Sequence, residues 1–173
     1  MSEVPDRCDI CGFVYDPQTS ANVGPQIVAN AAAISVIVVA ENPNVTRRPD
    51  VDRWSILEYG CHVRDVLLVQ RERVLLALRA DEPHVVAMGR DERVEADGYN
   101  EQQPSDVARQ IEDAALMFTG VLARLNEESW QRTMIYAYPS PAPRSLAWVA
   151  VHTLHETVHH LGDVQRQIQA SAP

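Results

Sequence analysis

The sequence predicts an all-α protein, a four-helix bundle in one domain, and three observations lead there. Val107, Ile111, Ala114, Ala115, Phe118, Val121, Leu122 and Leu125 recur close to the 3.6-residue period of a helix with one buried face. Ser55-Ile-Leu-Glu58 has the spacing of a capping box, in which a serine hydroxyl and a glutamate side chain satisfy two helix N–H groups that lack a partner. A chain of 173 residues with 46% hydrophobic residues can fill one core without disulfides.

Taken in order, residues 1–20 hold Cys8, Cys11, two prolines and several aspartates, and read as an N-terminal extension to a bundle spanning 21–173. Pro25 suits a first helical turn, and Gln26 to Glu41 reads as the first helix. Its β-branched run Ile34, Val36, Ile37, Val38, Val39 is equally at home in a strand. The capping box starts a second helix from about residue 55 to 80. His84 to Gln103 shows charges, Gly89 and Gly98 without a sustained apolar period, and is expected to be a long connection. Ser105 and Asp106 offer caps for the third helix. Three prolines between Tyr136 and Pro143 predict a loop, after which Ser145 can cap a last helix reaching about Gln169. No strand is predicted, so the bundle needs a long crossover.

Composition narrows the function. A net charge of -9 disfavours phosphate backbones, so nucleic acid is not an expected partner. All 15 basic residues are Arg, which removes lysine Schiff-base chemistry. The apolar run Ala31 to Ala40 is about half of what a membrane span requires, and no basic segment precedes it as in a signal peptide. A cytoplasmic protein with reduced thiols and no membrane partner is expected, since an odd cysteine count with one Cys-x-x-Cys unit suits metal or redox chemistry better than a disulfide framework.

The chemical signal is histidine. His62, His152, His155, His159 and His160 are five of the six, and the last four share the final helix with Glu156 and Asp163. At 100° per residue His152, His155, Glu156, His159, His160 and Asp163 span an arc of about 140°. Leu154, Val158, Leu161, Val164 and Ile168 lie opposite, so one face is expected to pack and the other to do chemistry. Side chains four apart on a helix can close on one ion while a facing helix supplies a third ligand. Glu156 with His160, His155 with His159, and His159 with Asp163 all qualify.

His155-Glu156-Thr157-Val158-His159 also fits His-Glu-x-x-His, where two histidines hold zinc and the glutamate is general base of a hydrolase. Only 14 residues follow His159, with Asp163 the sole carboxylate among them, and no strand is predicted to hold a peptide substrate.

The segments Trp54-Ser-Ile-Leu-Glu-Tyr-Gly-Cys-His62-Val-Arg-Asp65 and His152-Thr-Leu-His-Glu156-Thr-Val-His-His160-Leu-Gly-Asp163 resemble the two metal-site motifs of the DinB-like family, a likeness spanning roughly residues 24 to 170. That resemblance implies an up-down-down-up four-helix bundle. It implies a divalent ion on His62, Glu156 and His160, with His155 and His159 beside the ion without ligating it. Many DinB-like sites have three histidines; a glutamate in the set is closer to the mycothiol-dependent isomerases.

Two histidines and a carboxylate leave a coordination position open, which suits zinc, with nickel, iron and manganese as alternatives. The resemblance then implies a thiol S-transferase or isomerase that takes a small-molecule thiol, mycothiol, and an electrophilic substrate, and it allows a homodimer. His159 and Asp163 are the candidates for orienting a reacting group, and Arg90 and Arg93 for contacting an anionic thiol cofactor. A non-catalytic metal-binding or stress-related bundle is the alternative.

Cys8-Asp-Ile-Cys11-Gly-Phe-Val-Tyr-Asp16 looks like the first metal knuckle of rubredoxin, but the second knuckle is absent. Two thiolates do not complete a tetrahedral site; Cys61, a histidine or a second subunit would have to complete it. Otherwise the segment is a turn with two reduced thiols. Trp54, Trp130 and Trp148 are expected in the core or at its rim.

Overall fold

Of the four long helices, three begin on the signal expected for them from the sequence. In the computed structural model, which describes residues 7–138 and 140–171, helix α1 is Gly24–Val39 with a proline in its first turn. Ile27, Ala31, Ile34 and Val38 form its buried stripe, while Val36 and Val39 are exposed. Spacing therefore overrides the strand preference of the β-branched run. Helix α2, Ile56–Arg79, carries the complete capping box: Glu58 N–H donates to Ser55 Oγ and Ser55 N–H donates to Glu58 Oε2. Arg48 grips the same carboxylate through two nitrogens.

The connection after α2 is long but not irregular. It holds a short helix α3, Arg90–Ala96, and a 3-10 turn at Tyr99–Glu101. Gly89 and Gly98 stand just before them with φ of +65° and +54°, a conformation that glycine adopts at no steric cost. A buried polar knot fastens this segment to α2. Arg64 donates to Asp65, Asp97, Gln102 and Gln110, and Asp65 also accepts from Arg93 and the Tyr99 hydroxyl.

Helix α4, Pro104–Leu122, corrects one expectation: it is opened by Pro104 and not capped by Ser105 or Asp106. Asp106 falls in the first turn, where its charge suits the helix dipole. After a short helix α5, Glu127–Gln131, comes a second correction. Thr133–Tyr136 (β1) and Ala142–Ser145 (β2) pair antiparallel, with Ile135 opposite Pro143, where a loop and no strand were expected. A proline is tolerated there because this two-stranded ribbon leaves an edge that needs no donor. Pro139, within the expected loop, lies outside the described residues, as do residues 1–6 of the extension and 172–173 of the bundle segment. Helix α6, Leu146–Ser171, starts as expected, with Trp148 N–H donating to Ser145 Oγ.

Around the bundle each of α1 and α2 packs against both α4 and α6. The core between them is built from Ile34, Leu57, Leu67, Ile111, Phe118 and Val149. Gly60 lets α2 approach closely: a Cβ there would meet Val38 Cγ2 at 2.9 Å. The extension folds back on the molecule, and its 3-10 turn, Pro17–Asn22, lies against α6. No helix among the described residues is long and apolar enough to cross a membrane.

Candidate metal centre

The polar face of α6 points inward. His152 and His155 are buried, and so are Leu154 and Val164 on the arc expected to pack, where Ile168 near the helix end is 40% exposed. The face is covered by α2 from one side and by the N-terminal extension from the other, a placement that long-range packing decides.

On the α2 side, His62 Nε2 lies 3.7 Å and His160 Nε2 3.6 Å from the same atom, Glu156 Oε2. Two ligands held at about 2.0–2.1 Å with tetrahedral angles stand about 3.4 Å apart, so this triangle fits a divalent ion with small adjustments. The side chains are 4%, 21% and 12% exposed for His62, Glu156 and His160, leaving the carboxylate side as the approach. The two imidazoles meet edge to face with centroids 4.8 Å apart, and Trp54 covers His62 at 4.9 Å.

Each ring has its outer nitrogen in a different setting. His160 Nδ1 is 2.9 Å from Asp163 Oδ2, and Arg166 holds the other oxygen of that carboxylate. A proton on Nδ1 donated to Asp163 keeps Nε2 free for an ion, the usual role of a carboxylate behind a ligating histidine. His62 Nδ1 is buried and has no hydrogen-bond partner among the described residues.

Electrostatics follow from burial and this clustering. Burial opposes charge on Glu156, but hydrogen bonds from His155, His160 and His62 hold its carboxylate well below the ordinary range. Burial also opposes charge on His160, yet Asp163 and Glu156 outweigh it and push the imidazolium up to about 9. Burial dominates at His62, which is lowered, and at His152, which falls to about 4. His62 is thus the neutral member of the triangle, and Glu156 the anionic one.

On the extension side the Tyr15 hydroxyl sits 2.7 Å from His155 Nδ1 and 3.4 Å from His152 Nδ1. His159 Nδ1 is 3.7 Å from Cys8 Sγ, and its Nε2 is 3.6 Å from Asp163 Oδ2. Ligand atoms of Cys8, Cys11, His155 and His159 all lie within 4.8 Å of one another. Burial raises the Cys8 thiol, but backbone N–H groups of Cys11 and Ile10 and the His155 ring bring it down to about 7. Cys61 is elsewhere: buried on α2, it faces Tyr99 O and Gln102 Oε1, and burial pushes its thiol up to about 12.

The remaining sequence candidates separate. Arg93 is engaged with Asp65 and Met88 O, inside the knot that holds the connection. Arg90 lies over the Trp54 ring at 5.8 Å, at the rim of the site. Trp148 stacks on His152 at 4.7 Å, so two of the three tryptophans serve as walls of the histidine cluster. Tyr15 and Tyr136 are residues that sequence reasoning missed: Tyr136 packs edge-on against His152 and receives hydrogen bonds from Gln70 and Arg73. Only the aromatic character of the extension hinted at Tyr15. A cavity of about 670 Å³ lined by Arg64, Asp97 and Gln102 contains none of the cluster's residues. A smaller one of about 260 Å³ includes Trp54 and borders it.

Fold and geometry together define a four-helix bundle with a candidate divalent-metal centre between its second and last long helices. The model of the DinB superfamily matches residues 41–164, and the chain belongs to that superfamily. Among solved structures it is similar to YfiT from Bacillus subtilis, with a TM-score of 0.71 at 13% identity, covering 98% of this chain and 94% of that one. YfiT is described as a probable metal-dependent hydrolase with an unusual four-helix bundle topology. No curated protein matches.

Proposed function

We propose that this protein is a divalent-metal-dependent enzyme whose ion is held by His62, Glu156 and His160, and that it transfers or isomerises through a thiol nucleophile. The observation that carries the metal site is the convergence of two imidazole nitrogens on one carboxylate oxygen at 3.7 and 3.6 Å. Zinc suits two nitrogens and one oxygen, with nickel, iron and manganese as alternatives. When bound, such an ion supplies Lewis-acid stabilisation of an anionic nucleophile. Asp163 orients His160, Trp54 and Trp148 restrict water at the two ends of the cluster, and the exposed edge of Glu156 marks where substrate approaches. His159, between Cys8 and Asp163, is placed to hold a proton beside that approach. Arg90 at the rim supplies the positive charge that an anionic thiol cofactor requires. Mycothiol as that thiol rests on the motif resemblance.

Hydrolysis is the second reading, favoured by the likeness to YfiT, and it uses the same ligands with water as the nucleophile. Incubating zinc-loaded protein with mycothiol and an aryl halide, and separately with activated esters and no thiol, distinguishes them. Release of halide with formation of the thioether, lost on chelation, supports thiol transfer. Ester cleavage without thiol supports hydrolysis. Neither reaction, in protein that does bind the ion, supports a non-catalytic metal-binding bundle.

A further inference from the structure

The Cys-x-x-Cys unit lacks a second knuckle in the sequence, yet the fold supplies what is missing. Cys8 and Cys11 are free thiols in a turn closed by Cys8 N–H donating to Phe13 O and Gly12 N–H donating to Cys8 O, both at 2.8 Å. Gly12 takes φ +74°, which allows the turn to be this tight. The turn is laid against α6 at His155 and His159, one helical turn apart, so that two sulfurs and two imidazoles share a space no more than 4.8 Å across.

The distances fit a tetrahedral thiolate and imidazole site. With bonds of about 2.3 Å to sulfur and 2.0–2.1 Å to nitrogen, neighbouring sulfur and nitrogen ligands stand about 3.6 Å apart. Cys8 Sγ and His159 Nδ1 are 3.7 Å apart. At His155 the Tyr15 hydroxyl engages Nδ1, and the remaining nitrogen, Nε2, is buried without a hydrogen-bond partner. A buried ring nitrogen with nothing to bond is costly, and an ion would satisfy it. Tyr15 then plays toward His155 the orienting part that Asp163 plays toward His160.

We propose that Cys8, Cys11, His155 and His159 form a second, closed site for a thiophilic divalent cation of the zinc type, which fastens the N-terminal segment to α6. Four protein ligands leave no open position, so this site is structural where the one at Glu156 is open. The two sites interleave on one helix: positions 155 and 159 serve the extension, and positions 156 and 160 serve α2. This explains why the helix carries a His-Glu-x-x-His string without using it as one centre. The two sites share no ligand, and His159 would ligate through Nδ1, the nitrogen facing Cys8, leaving the Nε2 that faces Asp163 for its proton.

Cobalt(II) tests it directly, since thiolate ligands give an intense charge-transfer absorption that nitrogen and oxygen ligands lack. Wild-type protein titrated with cobalt is expected to take two ions per chain and to show that absorption, and zinc is expected to displace both ions. Cys8→Ser/Cys11→Ser is expected to take one ion without the absorption, whereas His62→Ala is expected to take one and retain it. Cobalt-saturated wild-type protein with no thiolate absorption would overturn the proposal, with no need for any variant to fold. So would absorption that persists in the double serine variant, or a Cys8–Cys11 disulfide in protein isolated under reducing conditions. A His62→Ala variant that binds both ions would instead count against the open site alone.

Discussion

His62 on α2 and His160 on α6 aim their Nε2 atoms at one oxygen of Glu156, with their rings at right angles and centroids 4.8 Å apart. Carboxylate and imidazole are therefore arranged around a point between two helices, and each side chain can be removed separately.

Asp163 accepts from His160 Nδ1 at 2.9 Å, the position of a carboxylate that would orient a ligating histidine. Asp163→Asn is expected to weaken metal affinity at this site about 10–100-fold while leaving the site filled at saturation. Competition against a chelator of known affinity measures this; unchanged affinity would remove Asp163 from the site.

Proton competition gives a second expectation. In metal-free protein His160 titrates at about 9, above its ordinary value of 6.5, so it is an imidazolium at neutral pH. Binding an ion must release that proton, and apparent affinity is expected to rise with pH up to about 9. Calorimetry of the Cys8→Ser/Cys11→Ser protein in buffers of different ionisation enthalpy counts the proton released at pH 7.5, and none would contradict the assignment.

The same groups set the pH stability of the metal-free protein. A raised folded-state value at His160 contributes stability that is complete below 6.5 and lost as pH rises through about 9. His152, lowered to about 4, acts in the opposite sense: its contribution is present above 6.5 and lost as pH falls through about 4. Maximum stability near pH 6.5 is expected in urea titrations of chelated protein. Stability that instead climbs steadily from pH 6.5 to 9 would contradict the His160 assignment.

Packing at Gly60 couples the core to the site, because His62 lies on the same turn of α2. Gly60→Ala puts a methyl group 2.9 Å from Val38 Cγ2 and 3.4 Å from Ile111 Cδ1. An overpacking cost of about 1–3 kcal/mol, offset by about 1 kcal/mol of helix propensity, is expected to leave a net loss of up to about 2 kcal/mol. Thermal unfolding measures the cost. An unchanged midpoint would mean that α2 is free to shift.

Much of this was legible in the sequence where the signal is local. The capping box at Ser55 and Glu58, the stripe on α4 and the cap at Ser145 are short-range patterns, and each appears where it was read. So is the spacing of Glu156 and His160 on one helix face, although pairing them with His62 came from motif resemblance. What was not legible depends on contacts distant in sequence. Cys8 meets His159 across 151 positions, and no spacing rule reports that. The hairpin was hidden because Pro143, a breaker inside a sheet, is harmless on an edge. The polar arc of α6 gave no sign that it would be buried, since burial is decided by Tyr15, Tyr59 and Tyr136 arriving from three other segments against His155, His160 and His152.

The central claim is the ligand set His62, Glu156 and His160. Elemental analysis of protein in a Cys8→Ser/Cys11→Ser background, alone and combined with His62→Ala, Glu156→Ala, His160→Ala or His155→Ala, tests it most directly. One divalent ion per chain in the background and in the His155→Ala variant, and none in the other three, is the predicted result. Retention of the ion without Glu156 or His160, with loss of it without His155, would contradict the account and return the string at 155–159 to a single His-Glu-x-x-His centre.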